Sequence, residues 1–141
     1  MNSWFDDPRA KQGELDAFDA ERAERRGAFA DAHVLYANAA RAFASVALSV
    51  PPDHPNTRGA LAVAALSSAL RSGNLGEACD LVARFLAEPD ALGASSRIEL
   101  LAMEQSLGER LQSRPAGASS FSPRRDQIVR SSVRNSFRVA A

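Results

Sequence analysis

The chain has 141 residues, which is enough for one domain with a hydrophobic core and too few for two domains of ordinary size. Its 17 basic and 17 acidic residues cancel, and this excludes a strong overall charge that would attract nucleic acid or a charged membrane. The single cysteine, Cys79, excludes an intramolecular disulfide.

The start of the chain has neither the basic region nor the apolar stretch of a signal peptide. The longest apolar run, residues 60–66, is much shorter than the roughly 20 residues that a membrane helix needs. We therefore expect a cytoplasmic protein without a membrane span. Sixteen of the 17 bases are arginine, which indicates a bacterial genome of high GC content.

The first predicted helix follows an N-terminal arm of residues 1–7. Asp7 before Pro8 is typical of an N-cap followed by proline at the first helical position. The helix is predicted to run from residue 8 to about residue 26. Leu15 and Phe18 are its few large apolar residues, so we expect them to anchor it in the core.

The second helix has the clearest pattern, over residues 28–48. Its apolar residues step by three and four along one face: Phe29, Ala32, Tyr36, Ala39, Phe43 and Val46. The three prolines of residues 50–55 then predict a stiff connector.

Two further helices are predicted next. Asn56 or Thr57 is expected to cap a helix over residues 58–72, whose apolar centre predicts that it lies between other helices. Gly73 marks a turn, and Asn74 with Glu77 three positions later predicts the capped start of a helix over residues 75–87.

The last predicted helix follows a loop at residues 89–94. Ser96 and Glu99 have the form of a capping box, and leucines or methionine follow at helical spacing to about residue 112. Residues 115–141 are rich in Arg and Ser and are predicted to be disordered. The sequence thus predicts an all-α domain over residues 8–114, with about five helices in antiparallel hairpins.

One spacing occurs twice, 46 residues apart. Gly27-x-Phe29-x-x-Ala32-x-x-x-Tyr36-x-x-Ala39 and Gly73-x-Leu75-x-x-Ala78-x-x-x-Val82 resemble the turn and second helix of tetratricopeptide (TPR) repeats. The chain departs from that family in three ways. The first helices lack its Trp-Leu-Gly-Tyr series, Phe85 replaces a small residue, and the family interval is about 34 residues. The resemblance implies a stack of helical hairpins with a concave groove for peptides or proteins, while a generic helical bundle remains the alternative.

The residue types that carry chemistry are scattered. His33 and His54 have no Cys, His or carboxylate partner at a spacing that favours a metal, and Cys79 has no neighbouring base. We therefore expect no enzyme activity, no cofactor and no metal site.

The tail has its own pattern, in which Arg130, Arg134 and Arg138 recur every four residues beside Val129, Val133 and Phe137. We predict a partner-binding motif there, formed by Arg130, Val133, Arg134, Phe137 and Arg138. The sequence favours a non-enzymatic adaptor that binds a protein through a helical groove and through this tail. Two alternatives stay open: a nucleic-acid-associated protein that uses the tail arginines, and a homo-oligomer with an intermolecular seam of Leu100, Met103, Leu107 and Leu111.

Overall fold

A computed structural model of the chain describes residues 4–113, and the regular structure in that range is entirely helical. The five α-helices are α1 (Pro8–Arg25), α2 (Phe29–Ser49), α3 (Pro55–Ser72), α4 (Leu75–Leu86) and α5 (Ala94–Gln112). Two single 3₁₀ turns, Trp4–Asp6 and Pro89–Ala91, precede α1 and α5. This confirms the predicted all-α fold with five helices.

The chain divides into two units after Gly108. In the second unit the described residues are the end of α5 and Ser113, whose amide and hydroxyl donate to the carbonyls of Glu109 and Arg110. The described residues of the first unit are 4–108.

Helix α1 begins as its sequence predicts but buries a different face. The Asp7 carboxylate accepts a hydrogen bond of 2.8 Å from the Arg9 amide, and Pro8 opens the helix. The predicted anchors are wrong, since Leu15 is 58% exposed and Phe18 is 54% exposed. The buried face consists of small residues: Ala10, Gly13, Ala20 and Ala23.

Small residues bring α1 close to α2. A Cβ built at Gly13 lies 3.1 Å from two ring carbons of Phe43, so the Phe43 ring packs against the bare backbone of α1. Apolar contact here depends on close approach of backbones and not on large side chains from α1.

Most of the predicted stripe of α2 is buried, including Tyr36, Phe43 and Val46. Phe29 is the exception, at 60% exposed. It is the first residue of the helix, and helical side chains tilt toward the N-terminus, so Phe29 extends beyond its neighbours.

Both predicted turn glycines adopt left-handed backbone, with φ of +79° at Gly27 and +82° at Gly73. The Asn74 side chain then accepts from the Glu77 amide at 3.0 Å, as the predicted N-cap of α4.

The starts of α3 and α5 differ from the predictions. Helix α3 begins at Pro55, because proline at the first helical position needs no amide donor, so Asn56 and Thr57 lie inside the helix and are not its caps. Helix α5 begins at Ala94, which makes Ser96 its third residue and excludes the predicted capping box.

Helix α3 lies between α2 and α4, as its apolar centre predicts. Its start also meets the start of α5. The Gly93 amide donates to the Pro55 carbonyl at 2.9 Å, and a Cβ at Gly59 would lie 2.5 Å from Ser96. From this point Leu100 and Leu107 of α5 enter the core.

Polar contacts at the helix ends show the direction of each helix. Arg9 at the start of α1 donates to Ser45 near the end of α2 at 2.8 Å. Arg58 near the start of α3 donates to Ala47 near the end of α2 and to Glu88, which follows the end of α4. Consecutive helices from α1 to α4 are therefore antiparallel, as expected for helical hairpins.

Candidate functional site

Four side chains from three helices meet at one end of the fold, and we call them the corner cluster: Glu21, Glu24, Tyr36 and Arg71. The Tyr36 hydroxyl donates to Glu24 Oε1 at 2.9 Å, and Arg71 Nη2 donates to the same oxygen at 3.1 Å. Arg71 Nη1 lies 3.5 Å from Glu21 Oε2. The cluster thus links the end of α1 to the end of α3 across Tyr36 of α2.

Tyr36 is the buried member of the corner cluster. Burial raises the pKa of Tyr36 to about 12, and its hydrogen bond to the Glu24 carboxylate acts in the same direction. The hydroxyl therefore stays protonated and acts as a hydrogen-bond donor near neutral pH.

The apolar spacing of α2 predicts Tyr36 in the core, but no local pattern indicates its partners. Arg71 is 47 residues from Glu24, and no local spacing relates the two. The only available signal was general: a buried tyrosine hydroxyl needs a polar partner.

Corner-cluster contacts also identify the sides of α1 and α3 that face each other. Glu21 and Glu24 mark that side of α1, and helical spacing adds Glu14 and Ala17 to it. Arg71 marks the side of α3, to which the same spacing adds Ser67, Val63 and Ala60. The added residues are exposed or half-buried.

Arg58 forms a second polar centre at the opposite end. It is 6% exposed, and its Nη1 donates to the carbonyls of Ala47 and Val50 at 3.2 Å each. Its Nη2 lies 3.1 Å from Glu88 Oε1. Arg58 therefore supplies a donor to two carbonyls at the end of α2, of which that of Ala47 also accepts from the Val50 amide, and this role is structural.

A strip of four residues runs along the outer side of α1: Lys11, Leu15, Phe18 and Arg22. The Arg22 guanidinium carbon lies 5.9 Å from the centre of the Phe18 ring. The core-facing residues of α1 are on the opposite side, so burial in the core does not use this strip. We call it the outer strip.

Other large apolar residues are exposed on α2 and α5. Phe29 and Val34 lie near the start of α2, and Ile98 and Leu101 lie on α5. By contrast, Leu100 and Leu107 of the suggested intermolecular seam are buried within the chain, and Met103 is half-buried.

The candidate chemical residues lie apart in the structure. His33 is exposed near Gly73, His54 is exposed in the connector before α3, and Cys79 is half-buried on α4. Among residues 4–113 no group of three His, Cys, Asp or Glu side chains is placed to hold a metal ion. Over the same range, no helix has both the length and the apolar composition to cross a membrane.

The predicted tail motif, Arg130, Val133, Arg134, Phe137 and Arg138, lies outside the described residues. No protein-family model, curated protein or solved structure matches the chain. Function is therefore inferred from the residues of this chain alone.

Proposed function

We propose that the protein is a non-enzymatic, TPR-like adaptor of the cytoplasm that binds a partner protein in a groove between α1 and α3. The basic tail is proposed as its second binding element. A segment of the partner would lie over α2, between the two helices whose facing sides the corner cluster identifies.

The observation that supports this proposal is the character of those facing sides. On α3 they carry Ala60, Val63 and Ser67, which are short and at least partly exposed. On α1 they carry Ala17, which is half-buried, and the exposed carboxylate of Glu14. Short side chains leave room for a peptide backbone, while the corner cluster closes one end with both signs of charge.

The experiment blocks the groove without disturbing the core. Ala60 and Ala83 are both exposed alanines on helices, one on the proposed groove side of α3 and the other on α4. Full-length wild type, Ala60→Arg and Ala83→Arg are used to capture partners from the native host. The protein recovered by wild type is then purified and titrated against all three.

We expect Ala60→Arg to weaken binding at least about tenfold and Ala83→Arg to leave it unchanged. If the wild-type protein recovers no partner reproducibly, the adaptor function is wrong. If both variants bind as tightly as wild type, the partner binds elsewhere and the groove is wrong.

A further inference from the structure

The outer strip is an apolar surface that the groove does not use. Leu15 and Phe18 are exposed on α1, whose opposite face packs against α2 through alanines and Gly13. Lys11 and Arg22 lie at the two ends of the same line. The strip thus reads basic, apolar, apolar, basic along the helix.

The spacing of the outer strip favours an α-helix as its partner. Lys11, Leu15, Phe18 and Arg22 are separated by four, three and four residues, which is the alternation of a coiled-coil seam. A seam of this kind lies along one line of an α-helix and accepts a second helix. An extended peptide strand has a period of two and does not match it.

The charges beside the strip have the opposite sign to those at its ends. Glu14 and Asp19 are both exposed and lie on either side of the apolar pair. Lys11 has a contact of 3.9 Å with Asp6, but both side chains are well exposed, so this pair contributes little and can be exchanged.

These charges disfavour a second copy of the chain as the partner. An antiparallel pair of α1 helices that placed Leu15 on Phe18 would set Lys11 against Arg22. A parallel pair would set Lys11 and Arg22 each against its own copy, and Glu14 of one helix against Asp19 of the other. Like charges in either arrangement oppose association.

We propose that the outer strip binds an amphipathic helix of another protein with the complementary charge pattern. That helix has two large apolar residues three apart, a carboxylate four residues outside each, and lysine or arginine on both sides of the apolar pair. Leu15 and Phe18 provide the apolar contact, while Lys11 and Arg22 set the register.

The probe is a synthetic helical peptide of about 20 residues, a length at which an alanine-rich helix becomes stable. Its seam reads Glu, Leu, Leu, Glu at spacings of four, three and four, and lysines occupy the positions beside it. A charge-reversed twin exchanges every Glu for Lys and every Lys for Glu. Binding to the full chain is measured by fluorescence anisotropy.

We expect wild type to bind the first peptide at least about tenfold more tightly than the twin. The double variant Lys11→Glu/Arg22→Glu should lose or reverse this preference. Leu15→Ser/Phe18→Ser should weaken binding of the first peptide at least about tenfold. Because both residues are exposed, circular dichroism should show that this variant remains folded.

Ile98→Ser/Leu101→Ser is the matched control, since it removes two exposed apolar residues three apart from α5. It should bind the first peptide as wild type does. Ala60→Arg should do so too, which separates this inference from the proposed groove.

Four binding results would overturn the proposal. The first is equal binding of the two peptides by wild type, and the second is an unchanged preference in Lys11→Glu/Arg22→Glu. The third is a loss of binding in Ile98→Ser/Leu101→Ser as large as that in Leu15→Ser/Phe18→Ser. The fourth is a loss of binding in Ala60→Arg. A dimer in sedimentation experiments that Leu15→Ser/Phe18→Ser dissociates would also overturn it in favour of a second copy.

Discussion

The Arg71 guanidinium lies over the Tyr36 ring, with its central carbon 4.6 Å from the ring centroid. Both side chains also donate to the same Glu24 oxygen. Helices α1, α2 and α3 are therefore joined at one point by a stacked cation, a hydrogen bond and an ion pair. The tyrosine hydroxyl cannot ionise there without placing two negative oxygens against each other.

Tyr36 is the only tyrosine, so its ionisation can be followed by the ultraviolet absorbance of tyrosinate. We expect a midpoint at about 12 in the folded chain, against the ordinary value of 10.0 in denaturant. Glu24→Gln should lower the folded midpoint, because the hydroxyl then loses its charged acceptor.

The raised pKa also fixes how stability depends on pH. Since the folded pKa lies above the unfolded one, the unfolded chain loses the proton first as pH rises. The contribution of Tyr36 is fully present below pH 10 and is lost between about pH 10 and 12. Tyr36→Phe should remove this part of the pH dependence in urea unfolding. An unchanged dependence, or equal midpoints in folded and denatured chains, would contradict the prediction.

The buried face of a helix could be predicted where large apolar residues repeat every three or four positions. This holds for α2, where Tyr36, Phe43 and Val46 are buried as expected. It fails for α1, because Ala10, Gly13 and Ala20 form the buried face and small residues give little apolar signal. Leu15 and Phe18 were the obvious anchors, and they face outward.

The helix starts and the polar centres were harder to predict. The three prolines of the connector predict an interruption between helices, whereas Pro55 opens α3. The environment of Arg58 depends on Ala47, Val50 and Glu88, which lie up to 30 residues away in the sequence. Such contacts follow from the packing of whole helices, which no local spacing encodes.

Arg58 should matter far more to stability than its ion-pair partner. Arg58→Ala removes the Arg58 donor from the Val50 carbonyl and leaves the Ala47 carbonyl with the Val50 amide, and we expect a loss of about 2 kcal/mol in the free energy of unfolding. Glu88 is 67% exposed at its side chain, so Glu88→Ala should cost less than about 0.5 kcal/mol. Guanidinium chloride unfolding measures both. Equal losses would show that the ion pair, and not the carbonyl contacts, is the important interaction.

Gly59 should not tolerate a side chain. Gly59→Ala gains helix propensity of about 1 kcal/mol but places its Cβ 2.5 Å from Ser96, and overpacking costs about 1–3 kcal/mol. We expect net destabilisation, partly relieved when Ser96→Gly is added. Gly76→Ala is the control, because the nearest atom to its Cβ is 3.6 Å away, and it should not destabilise. Additive effects of the two changes at residues 59 and 96 would contradict the predicted clash.

The tail prediction can be tested in the full chain by removing charge at chosen positions. Arg130→Ser/Arg134→Ser/Arg138→Ser removes the three arginines of the predicted motif, and Arg124→Ser/Arg125→Ser removes neighbouring arginines outside it. The triple variant should weaken binding of the captured partner at least about tenfold, and the double variant should weaken it much less. If both variants weaken binding in proportion to the number of arginines removed, general electrostatic attraction would be favoured. Strong salt-dependent binding to DNA or RNA that the triple variant loses would favour the nucleic-acid alternative.

The contact between the starts of α3 and α5 is made by glycines, where a missing side chain lets two backbones meet. Alanine scanning identifies a residue by what is lost when its side chain is removed, and Gly59 and Gly93 have nothing to remove. At these two positions alanine adds a methyl group, so any effect of the substitution reports a clash and not a lost contact. The contact is detected by adding atoms. Positions where a larger side chain destabilises the fold will therefore identify how α5 packs on α3 better than positions where a smaller one does.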